Sequence, residues 1–179
     1  FNEGNYILRN EEGNFNNTIV EKLPQDNLTK LTQAPAFGDL DEDGKLDVFL
    51  GNWYSQSTRH FSVDSAHNYG FFNRGKNWER FELTGENGET LTSLISDFNM
   101  DGHLDLIEGN DFIVSDFYYS GNGKGDFKQI VKEDNIIART TKYTMSIHSA
   151  DVDNDLYPEI YLIQTNSKSG NFTDSPTEI

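Results

Sequence analysis

The sequence has no cysteine, so neither a disulfide framework nor a thiolate metal site can hold it together. Its four histidines, at 60, 67, 103 and 148, are scattered without the spacing of a zinc or catalytic cluster. No apolar run approaches the ~18 residues of a membrane-spanning helix. Basic residues are scarce as well: 14 Lys and Arg face 30 Asp and Glu, for a formal net charge of -16. That balance argues against nucleic acid or an anionic membrane as partner. Hydrophobic content is low at 35%, but 13% aromatics and 15 glycines suit many short strands joined by turns. At 179 residues the chain is still long enough for one domain with a core of its own.

The acid is concentrated. Residues 39–47 read DLDEDGKLD, with carboxylates at loop positions 1, 3, 5 and 9 (Asp39, Asp41, Asp43, Asp47) and Gly44 at position 6, where the backbone must turn sharply. Four carboxylates this close repel one another, and a hard cation with six to eight oxygen ligands relieves the repulsion, taking the carbonyl at position 7, Lys45, as a further ligand. Calcium fits better than magnesium, which demands near-ideal octahedral geometry. The pattern recurs as DFNMDGHLD (Asp97, Asn99, Asp101, the carbonyl of His103, Asp105) and as DVDNDLYPE (Asp151, Asp153, Asp155, the carbonyl of Tyr157, Glu159). Eleven of the thirty acids lie at these side-chain positions, and three divalent ions would cancel six of the sixteen excess charges. In the third loop Leu156 replaces the glycine, so this site is expected to be strained, and the weakest or a remodelled one.

The first loop aspartates are 58 and 54 residues apart, a period typical of propellers, solenoids or arrays. Each loop is flanked by apolar strands, and after it comes a hairpin: 69–72 with 78–83, and 117–120 with 127–131. Residues 1–22 read as a hairpin of the same kind, the second half of a preceding unit, with Tyr6 to Leu8 returning through Phe15 and Thr18 to Val20. Repeats are therefore expected at 34–83, 91–131 and, incompletely, 143–173, followed by a tail at 174–179. Pro35 argues against a helix leading into the first loop. Two hairpins per period make about four strands, one propeller blade.

The run FGDLDEDGKLDVFLGN resembles the FG-GAP repeat, also described as the VCBS repeat, of integrin alpha propellers and many secreted bacterial proteins. TMSIHSADVDNDLYPEIYL resembles the same repeat in bacterial proteins of the ASPIC/UnbV-associated type. The resemblance implies an all-β fold, an arc of about three four-stranded propeller blades with the calcium-binding loop between the first two strands of each blade. Fewer than four blades do not close a propeller, so the chain is expected to be part of a larger one. Paired EF-hands are the competing reading of the loops, but only the second loop has an acid at position 12, Glu108, where the others have Leu50 and Leu162, and the flanks are β-rich.

The expected function is a non-catalytic scaffold for extracellular, cell-surface or periplasmic interaction, adhesion or assembly, holding two or three calcium ions. Its expected partner is another protein or the remaining propeller blades, with neither nucleic acid nor membrane insertion involved. The alternative is a carbohydrate-binding module of a secreted lectin or polysaccharide-active enzyme. For it, the polar insertion at 53–68 and the strand after it offer Trp53, Tyr54, Arg59, His60 and Tyr69, although these aromatics suit packing between blades better.

Overall fold

Twelve strands carry the fold in the computed structural model, which describes residues 4–10, 12–15, 20–24, 32–53, 67–83, 85, 88–112, 114–134, 136–137 and 140–165. They are β1 (Tyr6–Leu8), β2 (Val20–Lys22), β3 (Thr32–Gly38), β4 (Asp47–Asn52), β5 (Tyr69–Asn73), β6 (Trp78–Glu82), β7 (Thr90–Ser96), β8 (Asp105–Asn110), β9 (Phe117–Gly121), β10 (Phe127–Gln129), β11 (Thr144–Ala150) and β12 (Glu159–Gln164). Among the described residues all pairings are antiparallel, and no sheet closes on itself. Two sheets are complete four-stranded blades, β3-β4-β5-β6 and β7-β8-β9-β10, and they are flanked by two-stranded half-blades, β1-β2 and β11-β12. Among the described residues no helix is long and apolar enough to cross a membrane.

In the first hairpin the described part of the return strand is Val20–Lys22, pairing Tyr6 with Lys22 and Leu8 with Val20; Phe15 lies outside any strand and is exposed, and Thr18 and Ile19 lie outside the described residues. This register turns Ile7 inward against Val48, Leu50 and Tyr69, and it brings Glu21 to the Trp78 indole N–H at 2.7 Å. Pro35 lies within β3, an edge strand, where a residue without an N–H is tolerated.

The second strand of each complete blade is buried along its whole length, because both its faces meet a neighbouring sheet. Val48 and Leu50 of β4 face the β1-β2 side, where Leu23, Tyr69 and Phe71 complete the cluster. Phe49 points the other way and packs with Leu106 and Tyr119 of the second blade. Ile107 in turn packs with Tyr118 and Ile147, flanked by Ile160 and Leu162 of the last half-blade. The inner strands β3, β7 and β11 lie side by side. The glycine shared by the FLGN and IEGN runs has a steric cause: a Cβ on Gly51 would lie 2.7 Å from Thr90 Cγ2, and one on Gly109 would lie 2.9 Å from Thr144 Cγ2.

Those threonines belong to a polar tract that stitches the blades together at the end opposite the acidic loops. Thr32, Thr90 and Thr144 open the inner strands and pair in register with Asn52, Asn110 and Gln164, each 20 residues on. Thr32 Oγ1 donates to Asn52 (2.9 Å) and Thr90 Oγ1 to Asn110 (2.8 Å). Asn68 bridges the two blades by donating to Thr90 Oγ1 (2.8 Å) while accepting the Asn52 N–H (2.6 Å). Asp116 does the same for the next joint, accepting from Asn110 N (2.7 Å), Thr144 Oγ1 (2.7 Å) and Thr141 Oγ1. Buried polar groups satisfied in this way fix the relative position of blades that apolar contact alone would let slide.

Glu108 breaks the pattern of the joints. It occupies the place of Leu50 and Leu162 and, two residues from Leu106, faces the first blade. It is 1% exposed, and neither carboxylate oxygen makes a hydrogen bond. Burial pushes its carboxyl from 4.5 to about 8, with the nearby Asn68 amide opposing the rise. The folded protein therefore keeps this proton after the unfolded chain has lost it. The stability it represents is complete below about 4.5 and is lost as pH rises through about 8. A Glu108→Leu variant is expected to be the more stable protein at neutral pH. Its advantage in urea unfolding should widen by about 1.4 kcal/mol per pH unit between pH 5 and 8 and then level off; an advantage independent of pH would show that Glu108 is not held protonated.

Candidate metal centre

Each acidic loop joins the first two strands of its blade, and the first- and fifth-position acids of all three loops are hydrogen-bonded alike. The first-position aspartate accepts the N–H groups of positions 5 and 6. Asp39 binds Asp43 N and Gly44 N (3.0 and 2.9 Å), Asp97 binds Asp101 N and Gly102 N (3.1 and 2.9 Å), and Asp151 binds Asp155 N and Leu156 N (3.1 and 3.0 Å). The fifth-position carboxylate accepts the N–H of position 7: Asp43 from Lys45 (3.0 Å), Asp101 from His103 (2.9 Å) and Asp155 from Tyr157 (2.8 Å). Asn99 and Asp153, at position 3, accept the N–H of position 5 at 2.9 and 3.2 Å.

The ninth position plays a different part from the rest. Asp47 and Asp105 are fully buried. Asp47 accepts Leu40 N and Asn73 N (both 2.8 Å), and Asp105 accepts Phe98 N and Gly121 N (both 3.1 Å), so each ties its loop to the end of the blade's third strand. Glu159 accepts Val152 N at 2.8 Å. Burial raises the pKa of Asp47, against the two N–H donors, and pushes Asp105 up to about 6.

The turn needs two left-handed residues, one more than the glycine signalled. Position 4 has φ of 57° at Glu42, 60° at Met100 and 63° at Asn154; position 6 has 85° at Gly44, 92° at Gly102 and 76° at Leu156. The third loop is therefore not remodelled. Its leucine adopts the glycine conformation and bears the strain.

Asp39, Asp41 and Asp43 each bring a carboxylate oxygen within 4.8 Å of the others, and so do Asp151, Asp153 and Glu159. Asp47 and Asp155 stand outside these trios. The second loop has only the amide of Asn99 between Asp97 and Asp101, and the Asn99 Nδ2 lies toward Ser120 Oγ (3.2 Å). Asp41 Oδ1 is buried and has no hydrogen-bond partner. Hard oxygen donors, mutual repulsion and an unpartnered buried carboxylate oxygen together fit a divalent cation of the calcium type. The loops are also linked to each other: His103 Nδ1 of the second lies 2.6 Å from Glu42 Oε1 of the first, and that contact raises the histidine's pKa.

Two features escaped the sequence reading. One is the Thr–Asn tract, whose only trace is the constant spacing of 20 residues. The other is Arg74, whose guanidinium reaches Asp41 across 33 residues, a contact that only the blade topology reveals. Of the aromatics considered as sugar platforms, Tyr69 is 1% exposed and packs in the first joint, so it offers no free face. Trp53 is half-buried, and Tyr54, Arg59, His60 and the tail 174–179 lie outside the described residues.

Residues 97–162 match the family model of the FG-GAP-like repeat. The match begins at the first aspartate of the second loop and ends within β12, so it contains the second and third loops, and the first loop repeats their geometry outside it. A search of curated proteins returned no match.

The strain at Leu156 is open to measurement, since the side chain is 78% exposed and little burial is lost with it. Leu156→Gly should remove ~1–2 kcal/mol of left-handed strain and give back ~0.5–1 kcal/mol in chain entropy. A net gain of about 0.5–1 kcal/mol in urea unfolding is expected; a loss would contradict the strained turn.

Proposed function

We propose that this chain is a calcium-clamped segment of β-propeller blades that acts as a non-catalytic interaction, adhesion or assembly scaffold outside the cytoplasm. The observation that carries the reading is the threefold recurrence of one loop, hydrogen-bonded the same way each time, with its acids drawn together at one end of the blades. Two or three calcium ions would be held by Asp39, Asp41 and Asp43, by Asp97, Asn99 and Asp101, and by Asp151, Asp153 and Glu159. The ninth-position acids and the carbonyls of Lys45, His103 and Tyr157 are further ligand candidates.

The bound cation would supply charge neutralisation and rigidity, and nothing in the loops calls for chemistry beyond that. Loops of this type in extracellular modules bind calcium at about 10⁻⁴ to 10⁻³ M, as the EF-hand range illustrates. Sites that weak fill outside the cell and stay empty in the cytosol, which supports an extracellular, cell-surface or periplasmic address. The partner is another protein or further propeller blades, and the charge of -16 disfavours nucleic acid.

Each site occupied at ten times its dissociation constant adds about 1.4 kcal/mol of stability. With every site filled, the melting temperature should rise by on the order of 10 °C in calcium over chelator, with two or three ions bound per chain. The rise should shrink in the double variant Asp41→Ala, Asn99→Ala. Equal melting with and without calcium, and no bound ion, would remove the metal reading.

A further inference from the structure

The first loop differs from the other two in having Lys and Arg side chains paired with its acids. Arg74 Nη1 pairs with Asp41 Oδ2 and lies 3.4 Å from Asp43 Oδ2, and Lys45 Nζ lies 2.7 Å from the same Asp43 oxygen. Among the described residues no Lys or Arg pairs with Asp97, Asp101, Asp151 or Asp153. The position of Arg74 is not incidental. The preceding residue, Asn73, gives its N–H to Asp47 of the same loop (2.8 Å), and the guanidinium lies 5.0 Å from the centre of the Phe72 ring. In the second blade the N–H bound by Asp105 belongs to Gly121, so the residue matching Arg74 is Asn122. Asn122 is neutral and bonds within its own turn, to Asp126 and Lys124.

Arg74 also has somewhere else to go, since its Nε is 2.7 Å from Glu79 Oε2. We propose that Arg74 is a built-in counter-ion of the first loop, which holds Asp41 and Asp43 together without metal and competes with calcium for their charge, so that this loop fills after the second. The proposal rests on the calcium reading above. Two positive ions on one carboxylate share its charge, so the Asp41 oxygen left open, Oδ1, is a weaker ligand while Oδ2 is paired. Calcium binding to the first loop then drives the guanidinium toward Glu79. The second loop has no Lys or Arg competitor, its His103 being paired with Glu42 of the first loop, and it takes calcium before the first, so the two complete blades become rigid at different calcium concentrations.

The test is a calcium titration of the whole chain followed by amide NMR. The N–H groups of Gly44, Gly102 and Leu156 each bind the first aspartate of one loop and so report the three loops separately. In the unaltered protein the Gly102 midpoint should fall below that of Gly44. Arg74→Gln should lower the Gly44 midpoint about two- to fivefold, the size of a partly exposed ion pair, and leave the other two unchanged. Glu79→Gln, which removes the alternative partner, should raise it. A Gly44 midpoint that is unchanged or higher in Arg74→Gln, or unchanged or lower in Glu79→Gln, while Gly102 still responds, would overturn the proposal and leave the calcium reading standing. If no amide responded to calcium in any of the proteins, the calcium reading would fall and the proposal with it.

Discussion

The gathering of oxygen ligands at the turn between the first two strands of each blade is the constraint on which the rest of the structure depends. In the first and third loops three carboxylate oxygens lie within 4.8 Å of one another and would force the turn open unless something positive stood among or beside them. The backbone answers part of the demand by aiming N–H groups at the first- and fifth-position acids. Every loop spends two left-handed residues on doing so, and in the third loop one of them is a leucine. The rest of the demand falls to a cation, which the first loop partly supplies from its own side chains.

The two ends of the blades are held by different physics. At the loop end, charge dominates, and the buried ninth-position aspartates carry it inward to the third strand of each complete blade. At the far end the tract from Thr32 to Asp116 joins neighbouring blades through neutral or singly charged hydrogen bonds that are fully satisfied. Between them lie the apolar joints, where Phe49 meets Leu106 and Ile107 meets Ile147. Glu108 opposes this division, a buried carboxyl with only the Asn68 amide near it where its counterparts are leucines. Its cost depends on protonation, so the joint between the two complete blades carries a pH dependence at the position where its neighbours have Leu50 and Leu162.

The parts of this arrangement visible in the sequence are those written in local spacing. The D-x-D-x-D-G run and the aromatic hairpins mark strands and turns because each is decided within about ten residues, and the recurrence of the run at 58- and 54-residue intervals marks the repeat number. The return of the first hairpin is legible as far as Val20, whereas the pairing of Glu21 and Lys22 depends on the contact of Ile7 and Glu21 with the first blade. Arg74 and the Thr–Asn tract were invisible for a related reason, since their partners lie 16 to 33 residues away and no local pattern marks them. Tyr69 was ambiguous between a binding platform and a packing residue until the neighbouring half-blade was in place to bury it.

The most direct test of the central claim is anomalous diffraction from crystals grown in millimolar calcium. The account predicts a peak in each loop, about 2.3–2.6 Å from its ligand oxygens, with Asp39, Asp41 and Asp43 around the first and the Arg74 guanidinium turned toward Glu79. Loops that keep their present shape with no peak in any of them would contradict it, and would mean that the acids are held by backbone hydrogen bonds and side-chain cations alone.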